Sequence, residues 1–170
     1  MISFSKSRKR RNPADPLIPG EAFMLFEIQV DSDSIHDKAR NKKGEVSDDI
    51  LWGLLEKEQK KGVKCVEKLL NVDVSLEADM TEFYSTYSFP VNSYGEIKRI
   101  HDILEEKLNP YSGSFGVTDY TVLRLFQFFP SGQEGNSYGV AAGCVGTLSE
   151  WIQDNTPRSN PRTRAVFRKR

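Results

Sequence analysis

The chain contains few residues of the types that carry out catalysis, and their spacing does not form a catalytic or metal-binding motif. There are two histidines, His36 and His101, and the sequence places no nucleophile to pair with either one. We expect His101 to be a surface or boundary residue of a helix. Cys65 and Cys144 have neither CxxC spacing nor a histidine nearby, so we expect reduced, half-buried thiols and not metal ligands.

Two further groups of residues resemble ligand-binding motifs but lack the defining positions. Asp31, Asp33 and Asp37 resemble part of a calcium loop without its central glycine and final glutamate, which favours a solvated acidic loop. The glycines between residues 132 and 146 are not followed by the Lys-Ser/Thr of a P-loop, and no βαβ unit surrounds them. We therefore predict that the protein is not an enzyme and uses no cofactor or metal.

The chemistry that the sequence does offer is anion binding by its two ends. The first twenty residues hold five basic residues against one acid, Asp15, and the last sixteen hold six with no acid. These candidate membrane- or nucleic-acid-binding residues are Lys6, Arg8, Lys9, Arg10, Arg11, Arg158, Arg162, Arg164, Arg168, Lys169 and Arg170. Residues 21–154 keep 13 Lys and Arg against 23 Asp and Glu, a net charge of −10. Like charges clustered at both ends predict a polyanion or an anionic surface as the partner.

The basic run at residues 5–11, SKSRKRR, is consistent with several functions. It fits an import signal that a nuclear import carrier would read, and it fits a polybasic patch on an anionic membrane. It also fits phosphate contacts on nucleic acid. A plain solvated tail is the fourth interpretation.

Aromatic residues provide a second possible contact with nucleic acid. Phe126, Phe128 and Phe129 would stack on bases if they were exposed on a sheet. The strand that holds them lacks the consensus of basic and aromatic residues, so we predict that all three belong to the core.

Composition divides the chain into three parts. Residues 1–20 are basic and rich in proline, which predicts a flexible arm, and residues 155–170 have the same character. Residues 21–154 are expected to form a single α+β core domain. No apolar run reaches the ~18 residues that span a bilayer, so any membrane contact is expected to be peripheral.

Hydrophobic periodicity predicts alternating strands and helices within this core. Strands are expected over residues 22–30, at the end of 63–77, over 81–91 and over 120–129, the last being central. Helices are expected from the N-cap Ser47 to Gly62, from a Ser93–Glu96 capping box to Asn109, and within 144–154. Residues 31–45 are predicted as a charged loop. Two main helices would cover an antiparallel or mixed sheet in a split-βαβ or related arrangement.

The order and size of these elements resemble those of the matrix proteins of rhabdoviruses, with the short length most similar to the plant-infecting branch that replicates in the cytoplasm. The resemblance rests on a basic, proline-punctuated arm followed by AFMLFEIQV, SDDILWGLLEKEQ and VKCVEKLLNVDVSL, an aromatic strand and a late helix–strand pair. The PPxY and PTAP motifs of animal-virus members are missing, and NPADPLIPG is only a loose substitute.

The resemblance implies a structural protein that self-assembles and links the viral ribonucleoprotein to the inner face of an anionic membrane. Its partners would be its own copies, the nucleocapsid or its RNA, and lipid headgroups. Its location would be the virion and the host cytoplasm, at the membrane periphery. Two alternatives from the arms alone are an RNA-binding accessory or capsid-type protein and a host-interacting effector that is imported into the nucleus.

Overall fold

The computed structural model describes residues 15–81, 83–133, 135–140 and 146–157. Strands and helices alternate along this part of the chain. The strands are β1 (Leu17–Val30), β2 (Ser75–Thr81), β3 (Tyr84–Ser93), β4 (Ser114–Gly116), β5 (Thr121–Phe129), β6 (Tyr138–Gly139) and β7 (Gly146–Thr147). The helices are α1 (Ser32–Ala39), α2 (Asp48–Leu70), α3 (Tyr94–Lys107) and α4 (Leu148–Asn155).

The strands form one sheet in the order β2-β3-β1-β5-β6-β7, with β4 also paired to β5. All pairings are antiparallel except the one between the short strands β6 and β7. Helices connect β1 to β2 and β3 to the β4–β5 pair, and β1 lies between β3 and β5. This is the split-βαβ arrangement, so the predicted α+β class and the inner position of residues 120–129 are confirmed.

One face of the sheet carries the core. On β1, Met24, Phe26 and Ile28 are fully buried, as the alternation of the sequence predicted. The helices α2, α3 and α4 cover this face with residues of the same hydrophobic cluster, namely Val66, Leu70, Ile97, Ile100, Leu104, Leu148 and Trp151. The opposite face of the sheet carries no described helix.

Helix α2 does not end at Gly62, where the sequence analysis placed its end. Gly62 is buried, and a Cβ built on it would lie 2.7 Å from Cδ1 of Ile28, so the glycine permits a close approach of helix and sheet. The helix continues to Leu70 and ends at Asn71, which has the left-handed conformation that asparagine tolerates. The strand predicted at the end of residues 63–77 is therefore wrong before Ser75, where β2 begins.

The charged segment 31–45 was predicted as a loop, but it contains the helix α1. The carboxylate of Asp31 caps α1 by accepting hydrogen bonds from the backbone N–H groups of Asp33 and Ser34. Ile35 and Ala39, one turn apart, are buried against α2. A pair of apolar residues at this spacing stabilises a short helix through packing despite its charged surface.

The predicted domain boundaries shift slightly. Leu17–Gly20, assigned to the N-terminal arm, belong to β1, and α4 extends to Asn155, just beyond the predicted core boundary at 154. The predicted N-cap of α3 is confirmed, because Oγ of Ser93 accepts a hydrogen bond from the backbone N–H of Glu96. The Glu96 carboxylate accepts its bond from the N–H of Asn92, one residue before the position that a capping box uses.

Replacing Gly62 by alanine is expected to destabilise the protein by about 1–3 kcal/mol, since the new methyl group would overpack the buried Ile28. Gly53→Ala is the matched control on the same helix, because a Cβ there meets no atom within 4 Å. That change is expected to stabilise the fold by up to about 1 kcal/mol through helix propensity. Urea denaturation of both variants checks the difference, and equal effects would contradict the packing argument.

Candidate functional site

The histidine that the sequence placed at the helix surface is buried. His101 is 7% exposed, which corrects the expectation of a surface or boundary residue. Its Nδ1 atom lies 3.2 Å from Oδ1 of Asp102, and its Nε2 atom lies 3.7 Å from Oε1 of Glu105. Both ring nitrogens therefore face carboxylates of helix α3 itself.

The other candidate reactive groups are not brought together. His36 lies in α1 with Nδ1 2.7 Å from the carbonyl oxygen of Ser32. Cys65 is half-buried, and burial raises the pKa of its thiol, which disfavours the nucleophilic thiolate. Cys144 lies outside the described residues. Within those residues, no group of three or more His, Cys, Asp or Glu side chains is placed to hold a metal ion.

Glu58 is a buried carboxylate that the sequence analysis did not single out. Its Oε2 accepts hydrogen bonds from Oγ1 of Thr118 and of Thr121, each at 2.7 Å, and its Oε1 accepts one from Nζ of Lys61 at 2.8 Å. Burial alone would raise the pKa of Glu58, but these hydrogen bonds and the Lys61 charge lower it to about 2. The bonds join α2 to β5 and to the turn before it, so we assign this group a structural role.

The predicted anion-binding residues all lie outside the described part of the chain. They are Lys6, Arg8, Lys9, Arg10, Arg11, Arg158, Arg162, Arg164, Arg168, Lys169 and Arg170. The structure does define the two points on the core to which these residues are covalently attached. Those points are Asp15 and Pro157.

The N-terminal attachment point is fixed to the start of helix α3. Oδ2 of Asp15 accepts a hydrogen bond from Oγ of Ser93 at 2.6 Å, and its Oδ1 accepts one from the N–H of Gly95 at 2.8 Å. The N–H of Tyr94 donates to the carbonyl oxygen of Pro16 at 3.2 Å. Asp15 thus satisfies one of the N–H groups that a helix N-terminus leaves unpaired and places a negative charge where the helix dipole favours it.

The C-terminal attachment point follows helix α4, which packs on the start of α3. The ring of Tyr94, the first residue of α3, stacks on Trp151 of α4 with centroids 5.9 Å apart. Thr156 is five residues after Trp151, which is at most about 8 Å along a helix axis. We call this end, formed by Asp15, Ser93, Tyr94, Trp151 and Pro157, the arm pole. Both basic ends of the chain start from it.

An apolar row crosses the sheet near the arm pole, on the face that carries no described helix. We call this face the uncovered face. It consists of Phe129, Phe23 and Pro90 on the neighbouring strands β5, β1 and β3, in register with one another. The two phenylalanine rings stack with centroids 4.9 Å apart, and Phe23 is 40% exposed. Pro90 is three residues from Ser93, about 10 Å along a strand. Phe126 and Phe128 belong to the core as predicted, whereas Phe129 is half-buried on the opposite face.

Beyond the apolar row, the same face carries a polar network. Arg124 donates a hydrogen bond from Nη1 to Oε1 of Gln29 at 3.1 Å, and its Nε lies 3.8 Å from Oε2 of Glu27. Nε2 of Gln29 donates to the hydroxyl of Tyr84 at 3.0 Å. The charges of Arg124 and Glu27 offset each other, so this part of the face has little net charge.

A line of lysines on the outer face of α2 is the main feature that the sequence analysis missed. Each member of this lysine stripe has another member three or four residues away, so all of them lie along one side of the helix: Lys57, Lys60, Lys61, Lys64 and Lys68. They point away from the buried residues of α2, and all but the half-buried Lys61 are exposed. Because the helix was expected to stop at Gly62, its last two lysines were not aligned with the others.

Part of the lysine stripe is neutralised locally. Lys60 pairs with Glu56 at 2.8 Å, and Lys61 pairs with Glu58 at 2.8 Å. Lys57, Lys64 and Lys68 form no ion pair within the described ranges of the chain. Together, the five lysines of the stripe are five of the 13 basic residues of the acidic core, and they lie on one side of one helix.

No protein-family model matches this chain, and neither a curated protein sequence nor a solved structure matches it at a significant level. Among the described residues, no helix is both long enough and apolar enough to cross a membrane.

The Glu58 network is expected to make stability depend on acid. The pKa of Glu58 is about 2 in the folded protein and 4.5 for the free group, so its contribution is complete above pH 4.5 and is lost as the pH falls toward 2. We expect the ionised Glu58 to contribute about 2–3 kcal/mol to the free energy of unfolding, allowing for solvent screening of the partly exposed Lys61. Thermal unfolding at a series of pH values, measured for the unchanged protein and for Glu58→Gln, checks this contribution. The stability lost over this pH range should be smaller in Glu58→Gln by about 2–3 kcal/mol.

Proposed function

We propose that this protein is a structural, self-assembling matrix protein that links ribonucleoprotein to the inner face of an anionic membrane. The observation that carries the proposal is the arm pole. Asp15 and Trp151 both contact the first turn of α3, so the eleven basic residues of the two ends are tethered to one side of the core. Such a concentration of charge on one side is suited to a surface more than to scattered small ligands.

Electrostatics determine how the protein would lie on such a surface. The core carries a net charge of −10 and would be repelled by anionic headgroups. The arms attract them, and each basic residue near the surface contributes about 1 kcal/mol. The favoured orientation therefore has the arm pole toward the membrane and the acidic bulk of the core away from it.

The apolar row gives this orientation a second contact. Phe23 is 40% exposed and lies on the uncovered face close to the arm pole, and Leu17 at the start of β1 is 51% exposed. Peripheral proteins combine basic residues on headgroups with a few apolar side chains at the acyl boundary. The basic ends and the apolar row would together supply both types of contact.

The same charges support self-assembly. Basic ends attached to an acidic core are attracted to the cores of neighbouring copies as well as to lipid. Contacts of this kind between exposed charges weaken as salt screens them. The proposal thus includes an assembly that forms at low ionic strength and dissociates when the ionic strength is raised.

We expect the full-length protein to co-sediment with phosphatidylserine-containing vesicles at low salt and to be released at high salt. Arg8→Gln, Lys9→Gln and Arg10→Gln together should weaken vesicle binding by more than about tenfold, since each charge contributes about 1 kcal/mol. Lys42→Gln, Lys43→Gln and Lys107→Gln make the same charge change on exposed core positions and should have little effect. Equal losses for both triple variants, or binding to neutral vesicles, would overturn the proposal.

The apolar row is tested separately. Phe23→Ser should weaken vesicle binding several-fold, because a phenylalanine at the lipid interface would be lost. The control is Tyr111→Ser, at a 95% exposed aromatic beyond the other end of α3, about 20 Å from the arm pole along the helix. If Phe23→Ser binds vesicles as well as Tyr111→Ser does, the apolar row is not part of the membrane-facing surface.

A further inference from the structure

We infer that the lysine stripe on α2 is a second anion-binding site and that it holds the phosphate backbone of single-stranded RNA. This inference deepens the proposed linking role, on which it rests, by naming the surface that would contact the ribonucleoprotein. It depends on a part of the core that is described in full. It does not depend on the basic ends.

The spacing of the stripe matches a linear polyanion. Lys57, Lys61, Lys64 and Lys68 are separated by three or four residues, so these positions follow one another at about one helical turn, 5.4 Å. Lys61 also pairs with Glu58, so Lys57, Lys64 and Lys68 are the lysines of this line without an ion pair among the described residues. The whole line extends for about 17 Å along the helix axis. A nucleic-acid strand is likewise a line of single charges, one per nucleotide, and can follow these lysines along α2.

The flanking residues favour a strand of RNA over a plane of lipid headgroups. Glu56 and Glu67 lie beside the stripe on one flank of α2, and the Glu56 side chain is 67% exposed. A flat anionic surface pressed against this helix would meet these carboxylates as well as the lysines. A narrow strand can contact the lysines and leave the carboxylates in water.

The side chains of the stripe also indicate which part of RNA is contacted. Lysine is a compact point charge on a flexible stem, without the planar fork with which arginine reads base edges. The stripe contains no aromatic ring on which a base could stack. Binding would therefore be to phosphates and independent of base sequence.

The position of the stripe fits a linking role. The lysines point away from the sheet on the outer side of the helical layer, whereas the apolar row lies on the opposite, uncovered face. A sheet and a helix layer pack about 10 Å apart, and the lysine stems extend the separation further. Lipid and RNA could thus be held by one copy without competing for the same surface.

The test measures binding of the full-length protein to an oligouridine strand by fluorescence anisotropy over a range of salt concentrations. The stripe variant carries Lys57→Gln, Lys64→Gln and Lys68→Gln, and the control carries the Lys42, Lys43 and Lys107 substitutions used above. Removing three phosphate contacts should lower the slope of log affinity against log salt by about 2. It should weaken binding at low salt by about tenfold or more, and the control should retain the slope of the unchanged protein.

Vesicle co-sedimentation of the same variants separates this inference from the proposed function. The stripe variant should bind phosphatidylserine vesicles as the control does. The inference is overturned if the stripe and control variants bind RNA with the same slope, or if the stripe variant loses vesicle binding and keeps RNA binding. If RNA binding depends on the lysine stripe but the protein does not co-sediment with vesicles, this inference is supported and the proposed membrane role is overturned.

Discussion

The contact between Gly62 of α2 and Ile28 of β1 is the constraint on which much of the structure depends. With only a hydrogen in place of a side chain, the helix lies directly on the central strand, where a Cβ would be 2.7 Å from the Ile28 side chain. The helix therefore runs uninterrupted for 23 residues and buries Val66 and Leu70 in the main core. Its length also brings the lysines before and after Gly62 into one line on the solvent side.

The helices of the described residues cover one face of the sheet, which gives this part of the chain two unlike sides. The helices pack against the apolar face of β1, β3 and β5, and the other face carries the stacked Phe23 and Phe129. At the first turn of α3, the N–H of Gly95 donates to Asp15 and the ring of Tyr94 stacks on Trp151, so the start of the described chain and helix α4 meet at one end of the core. Core packing and the placement of charge thus follow from the same few contacts.

The fold class, the burial of β1, the capping of α3 by Ser93 and the central aromatic strand could be predicted, because each depends on local periodicity or capping chemistry. The continuation of α2 beyond Gly62 could not be predicted, because a glycine that ends a helix and a glycine that allows close packing look alike in sequence. The position of Phe129 on the face opposite the core could not be predicted either, because Leu125 adopts a positive φ near an irregularity in the β1–β5 register. The lysines of the stripe can be read from the sequence, but their alignment can be recognised only when α2 is known to extend beyond Gly62.

Anchoring Asp15 at the helix start limits how far the N-terminal charges can travel. Lys6 is nine residues from this anchor, so its Cα cannot lie more than about 32 Å away, and Arg11 cannot lie more than about 14 Å away. A core of this size is about 37 Å across, so none of these Cα atoms can lie at the opposite end of the core. An anionic partner that binds both basic ends of one copy would be released only when both attachments are broken at the same time.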